Sequence, residues 1–233
     1  MLGIETATSQ VGCAIGGQEG VLASFHAARG RRHAESLVPG IDFIRRQALI
    51  DLHDLGAVAI DVGPGLFTGL RVGVTTAKTI ASALRVPMVG VSSLDLVAFP
   101  VRWTARRIVS VLDARRGEVF HASYRQVPGG VQRVSEPRVC RPEELCSELL
   151  ATGEECLAVG DGALRYREQF AELGRVEVGE AGLAHPSAAS LVQLARARAV
   201  REEFVNPWEL EPVYLRKADA EINWPTRQRA PGP

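Results

Sequence analysis

Cysteine is sparse and unpaired. Cys13, Cys140, Cys146 and Cys156 are scattered through 233 residues with no CxxC spacing among them. That argues against a zinc site or a disulfide framework and leaves reduced, mostly buried thiols. Neither sign of charge is in excess, since 27 Lys and Arg balance 27 Asp and Glu. A protein that holds nucleic acid by its own field needs a clustered basic face, so this chain would need a partner to supply one. No apolar run reaches membrane-spanning length, and Met1-Leu2-Gly3-Ile4 enters a strand pattern with no basic leader, so a soluble, cytoplasmic protein with no membrane contact is expected. Neither HExxH nor GxSxG occurs. His26, His53, His121 and His185 form no sequence cluster, which removes the usual signatures of a peptidase.

What is present is apolar content, 46% of the residues, and a set of glycine-rich corners. The most distinctive stretch runs from Gly63 to Gly73, Gly-Pro-Gly-Leu-Phe-Thr-Gly-Leu-Arg-Val-Gly. The β-branched run 57–62 before it reads as a buried strand, and a helical pattern follows to about Leu84. A strand, a glycine turn and a helix N-terminus form either an anion cradle or a tight structural corner. In the helix, Gly69, Gly73, Ala77 and Ala81 recur every fourth residue, with Leu70, Val74, Ile80 and Leu84 beside them. Glycine inside a helix costs about 0.5–1 kcal/mol against alanine, so such a row implies another backbone close by, its own sheet or a partner's.

The chain opens with three strand patterns, 2–8, 11–15 and 21–26, before any helix, which is unlike a doubly wound nucleotide fold. A basic loop, Arg29–Arg32, follows. A helix then starts at His33, with a kink or late start expected at Pro39. A second strand, corner and strand restarts at Arg107 around Asp113 and Gly117, and Gly160-Asp161-Gly162 forms a further glycine corner. Residues 186–201 read as an amphipathic helix. The expected layout is an α/β, duplicated ribonuclease-H-like, two-lobe fold with mixed sheets. Its lobes are residues 1–103 and 104–216, and 217–233 is a disordered tail. Glu5 and Asp113 then face a cleft between the lobes, with Thr6, Thr8 and Asp161 lining it, or else serve only as turn acceptors.

Four blocks carry a resemblance: Gly3-Ile4-Glu5-Thr6-Ala7-Thr8, the stretch 63–73, Val111-Leu112-Asp113-Ala114-Arg115-Arg116-Gly117-Glu118-Val119-Phe120, and Glu211-Pro212-Val213-Tyr214-Leu215-Arg216. In this order they resemble the TsaB (YeaZ) family of the bacterial tRNA threonylcarbamoyladenosine machinery, which adopts the actin-like, Hsp70-like (ASKHA) fold. Two positions depart from the family's usual pattern, Glu5 for Asp and Leu66 for Ser. Both are similar to the catalytic paralogue, TsaD.

The resemblance implies a non-catalytic subunit that dimerises with TsaD, with the ATPase TsaE as third partner and tRNA reached only through the complex. It implies no cofactor of the chain's own, with ATP or ADP and magnesium entering at the level of the complex. Glu5, Thr6, Thr8, Asp113 and Asp161 then frame a vestigial nucleotide cleft. The partner interface falls on the helices from His33 and Thr68, through Leu37, Ile41, Ile44, Leu70, Gly73, Ala77 and Ile80. Alone, the chain is expected to form a homodimer through the same face. The paralogue's metal pair, His-x-x-x-His, reads here as His33-Ala34-Glu35-Ser36-Leu37, and its later Asn-His segment as Val91-Ser92-Ser93-Leu94-Asp95. No metal ligand set and no catalytic residue are expected. The alternative is a stand-alone ATP-dependent phosphotransferase of the same fold.

Overall fold

In a computed structural model, residues 1–28 and 33–216 are described; the Arg29–Arg32 loop and the expected tail at 217–233 lie outside them. The first sheet contains β1 (Leu2–Glu5), β2 (Val11–Gly17), β3 (Gly20–Ala27), β4 (Val58–Asp61) and β5 (Met88–Val91), in the order β3-β2-β1-β4-β5. β1, β2 and β3 pair antiparallel, while β1, β4 and β5 run parallel. The second sheet has β6 (Arg107–Arg115), β7 (Glu118–Val127), β8 (Gly130–Arg133), β10 (Cys156–Val159) and β11 (Val176–Val178), ordered β11-β10-β6-β7-β8, with the short β9 (Arg138–Cys140) on β7. Its three-strand meander is again antiparallel and its β6, β10 and β11 parallel. Both sheets therefore follow one plan, the ribonuclease-H-like order written twice.

Helix α1 (His33–Ala48) and α2 (Phe67–Leu84) cover one face of the first sheet. α1 runs from His33 through Pro39, whose missing N–H falls on the exposed side, so the expected late start does not occur. α4 (Pro142–Thr152), α5 (Asp161–Arg165) and α6 (Arg167–Ala171) occupy one face of the second sheet, where Leu145, Leu149, Ala163 and Phe170 meet Val109, Val111 and Ala158.

The remaining two helices cross over. α7 (Ala188–Val200) follows the second sheet in sequence, yet Leu191 and Ala195 pack on Ala59, Val89 and Val91 of the first. α3 (Ser93–Ala98) follows the first sheet, yet Leu94 and Val97 pack with Ile108, Leu112 and Tyr124 of the second. The expected division at residue 103 misses this exchange: each half lends a helix to the other's core. Beyond α7 the chain returns to the glycine corner. Val213 N–H donates to the Val62 carbonyl at 2.7 Å, Tyr214 stacks obliquely on Phe67 at 5.2 Å, and Arg216 reaches Glu118 on β7 at 3.0 Å.

The small-residue row faces the chain's own sheet. A Cβ at Gly69 would collide with the Thr6 carbonyl oxygen, and one at Gly73 with Thr6 Oγ1. Ala77 and Ala81 are fully buried in the first core. This corrects the expected partner interface. Leu37, Ile41, Ile44, Leu70, Gly73 and Ala77 are all buried within the chain, and Ile80 is half-buried, because this side of both helices supplies the core of the first half.

Overpacking at such a site costs about 1–3 kcal/mol, against less than about 1 kcal/mol gained in helix propensity. Gly73→Ala is therefore expected to lower the thermal midpoint by several degrees in a calorimetric scan, and Gly73→Leu to abolish the folded transition. An unchanged midpoint in Gly73→Leu would place the row elsewhere.

Candidate functional site: the acid cluster between the halves

β1 ends on Glu5 and β4 on Asp61. The parallel register pairs Ile4 with Ile60, so the two carboxyls are next in line on neighbouring strands. Both are completely buried. Glu5 Oε1 accepts from the Ala7 N–H at 2.7 Å. Asp61 Oδ1 accepts from the Gly63 N–H at 2.8 Å and from Ser93 Oγ at 2.6 Å. The second oxygens, Glu5 Oε2 and Asp61 Oδ2, have no hydrogen-bond partner among the described residues. A carboxylate out of water and next to another cannot readily keep its charge. Burial, then the Asp61 charge, pushes the Glu5 carboxyl well above the usual range, and burial raises Asp61 to about 7.

The second half contributes Asp161 and Asp113. Asp161 Oδ1 accepts from the Asp113 N–H at 2.9 Å, and its charge reaches Glu5. Burial raises Asp161 above its ordinary value, while the backbone N–H of Asp113 opposes the rise. Burial in turn pushes the His185 pKa down, against the pull of Asp161. Asp113 is engaged on all sides: Arg115 N–H meets Oδ1 at 2.9 Å, and the Arg115 and Arg165 guanidinium groups meet Oδ2 at 3.1 and 3.4 Å. The left-handed backbone of Arg115, Arg116 and Gly117 (φ 64°, 55° and 79°) makes the turn that aims Arg115 back at Asp113.

Thr6 and Thr8 are both buried rather than open to a cleft. Thr6 Oγ1 donates to the Gly69 carbonyl at 2.8 Å, and Thr8 Oγ1 accepts from the Gln10 N–H at 3.3 Å. The loop that carries them is instead an anchor for both helices. Leu66 N–H donates to the Ala7 carbonyl at 2.7 Å, fixing the start of α2, and His33 Nε2 donates to the Thr8 carbonyl at 2.8 Å, fixing the start of α1.

Glu5, Asp161 and Asp113 thus lie in one acidic tract, and Glu5 and Asp113 also serve as turn acceptors, the other reading of their corners. Asp61 belongs to it as well, a carboxylate at the end of an apolar strand whose place level with Glu5 only the sheet register shows. Among the described residues, no three His, Cys, Asp or Glu side chains form a group able to hold a metal ion. Against magnesium nucleotide the residues fit poorly, because burial disfavours charge on Glu5 and Asp61 and two arginines occupy Asp113. Away from this tract, a groove of about 450 Å³ lies at the far end of α2, lined by Arg85, Val86, Phe204 and Trp208 among others.

Comparison with known proteins agrees on one family. The model of TsaD, tRNA N6-adenosine threonylcarbamoyltransferase, matches residues 21–224. The chain is 32% identical to the tRNA threonylcarbamoyladenosine biosynthesis protein TsaB of Escherichia coli, over 93% of this chain and 94% of that one. It is 26% identical to the Bacillus subtilis protein of the same name, over 98% and 99% of the two chains. Among solved structures it is similar to YeaZ from Pseudomonas aeruginosa, with a TM-score of 0.76 and 26% identity over 92% of this chain and 98% of that one.

The acid pair makes stability depend on pH with a definite sign. Asp61 is raised in the folded state, so its contribution is full below the unfolded value of about 4 and is lost as pH rises through about 7. Asp61→Asn keeps the Oδ1 acceptor and removes the charge. In urea titrations its stability relative to the parent is expected to increase from pH 5 to pH 8. A difference that is flat with pH would show that Asp61 is not buried as a neutral acid.

Proposed function

The chain belongs to the TsaB (YeaZ) family, whose members are tRNA threonylcarbamoyladenosine biosynthesis proteins, and on that premise we propose that it is a non-catalytic subunit of this modification complex. It pairs with the catalytic paralogue TsaD, with TsaE as third component, and meets tRNA in the cytoplasm only through the assembly. The chain performs no transfer itself.

One observation carries this reading. At the positions matching the paralogue's His-x-x-x-His, the His33 ring is committed to the Thr8 carbonyl and Leu37 is buried in the first core. The first of the pair has become a strut between α1 and the β1 loop, and the second a core residue. Leucine offers a metal no donor, and the Nε2 of His33 is already bonded. The commitment of Thr6 and Asp113 to internal partners argues in the same direction against the alternative, a stand-alone phosphotransferase. A balanced overall charge fits a subunit that leaves tRNA to others.

The partner surface is moved outward from the residues first expected. α1 leaves Val38 and Phe43 in solvent, 62% and 53% exposed, on the two flanks of its buried stripe. These are the side chains a partner would cover; Val72 and Ile80 on α2 are half-buried against the first core. Apolar anchors of this kind contribute most of an interface's affinity. In isolation a second copy would cover the same patch.

Val38→Arg and Phe43→Arg are expected to leave the thermal midpoint within a few degrees of the parent, since neither side chain is in the core. Each should weaken co-elution with the catalytic paralogue by about tenfold or more and lower threonylcarbamoyladenosine formation in the reconstituted system. Normal assembly and modification in both variants would remove α1 from the interface.

A further inference from the structure

The groove of about 450 Å³ lies where α2 stops. Arg85 adopts a left-handed backbone (φ 56°) there. The N–H groups of Arg85 and Val86 close the last turn on the Ser82 and Ala81 carbonyls, at 3.3 and 3.0 Å. The other wall is the segment after α7, which is held at both ends. Val205 and Met88 exchange two backbone hydrogen bonds, at 2.8 and 3.1 Å, on the edge of the first sheet, and Leu210 is buried in the first core. Between these anchors Asn206 Oδ1 accepts from the Trp208 N–H at 3.0 Å. A fixed backbone thus presents Phe204 and Trp208, yet the two residues are 42% and 80% exposed. Two aromatic side chains left in water on one groove have the character of a contact surface, already organised for its partner.

The polar side chains of the groove ask for one kind of partner. Arg85, Ser82 and Asn206 line it, and no acidic residue does. Asn206 Oδ1 is taken, which leaves the Arg85 guanidinium, Asn206 Nδ2 and the Ser82 hydroxyl. All three can donate, and none has a partner among the described residues. Nor is the guanidinium needed to cap α2, since backbone N–H groups already take those carbonyls. Its planar fork suits a carboxylate.

We propose that this groove docks an acidic peptide segment of another protein chain, with a carboxylate on Arg85 and an aromatic or leucine side chain against Phe204 and Trp208. Asn206 Nδ2 and the Ser82 hydroxyl then donate to the peptide's carbonyls. Two observations favour a peptide over other anions. A small-molecule pocket covers about 70–90% of its ligand, whereas a peptide needs only some of its side chains seated, which suits a groove with so exposed a wall. A nucleic-acid backbone calls for several cations, and Arg85 is the one that lines the groove among the described residues.

Two capped hexapeptides test this on the full-length, isotope-labelled chain at low salt. One is acetyl-Gly-Asp-Leu-Phe-Asp-Gly-amide, and the other carries lysine in place of both aspartates. The acidic peptide is expected to shift the amide resonances of 81–87 and 204–210. It should bind about tenfold or more tightly than the lysine peptide, the factor that corresponds to one charge-assisted hydrogen bond. Arg85→Glu should reverse that preference, and Trp208→Ala should weaken both peptides. Neither variant should move the thermal midpoint by more than a few degrees, because both side chains are exposed. No saturable shift, equal affinity for the two peptides, or shifts centred elsewhere would overturn the proposal. Self-association of the parent chain that Trp208→Ala abolishes would also overturn it, by giving the groove to a second copy.

Discussion

Everything in the first half depends on how closely α2 can approach the loop after β1. Backbone meets backbone there: Gly65 lies against Ala7, Gly69 against the Thr6 carbonyl, and Gly73 against the Thr6 hydroxyl. Any side chain at these positions would push the helix off the sheet. The contact fixes the loop Glu5–Thr8, and the loop fixes both helices of the first face, α2 through Leu66 and α1 through the His33 ring. A motif with the composition of a phosphate cradle thereby serves to seat a helix. Its start has no side-chain cap, and the Leu66 N–H is satisfied by Ala7 instead.

The same loop carries the acid that looks most like an active-site group. In this chain burial, with a second carboxyl, Asp61, beside it, disfavours the charged form of that acid. Leu37 is a core residue, the His33 ring is a strut, and Asp113 is held between guanidinium groups. What remains is a scaffold with two related halves, joined by helices that each packs on the other's sheet.

Much of this architecture was legible in the sequence, and the reasons are physical. Alternating apolar strands followed by polar corners announce themselves twice, at Glu5 and at Asp113, and the duplicated sheet order follows. The glycine row was legible as a close approach, but its direction was not. Small side chains at every fourth position say that something comes near, and both a sheet and a partner satisfy that. Its contact turned out to be Thr6, sixty-three residues earlier in the chain from Gly69. The exchange of α3 and α7 could not be read, because an amphipathic stripe says that a face is buried and not against which sheet. Asp61 was hidden for a related reason: one carboxylate ending an apolar strand looks like a turn former until the register places it beside Glu5.

The central claim is that this chain enables a modification it cannot perform. Reconstitution on an unmodified tRNA with the threonylcarbamoyl donor, TsaD, TsaE and this chain, each omitted in turn, tests it most directly by counting threonylcarbamoyladenosine formed. The account predicts none from this chain without TsaD, and a loss of turnover from the remaining components when this chain is left out. Modification by this chain without TsaD, or undiminished turnover in its absence, would contradict it.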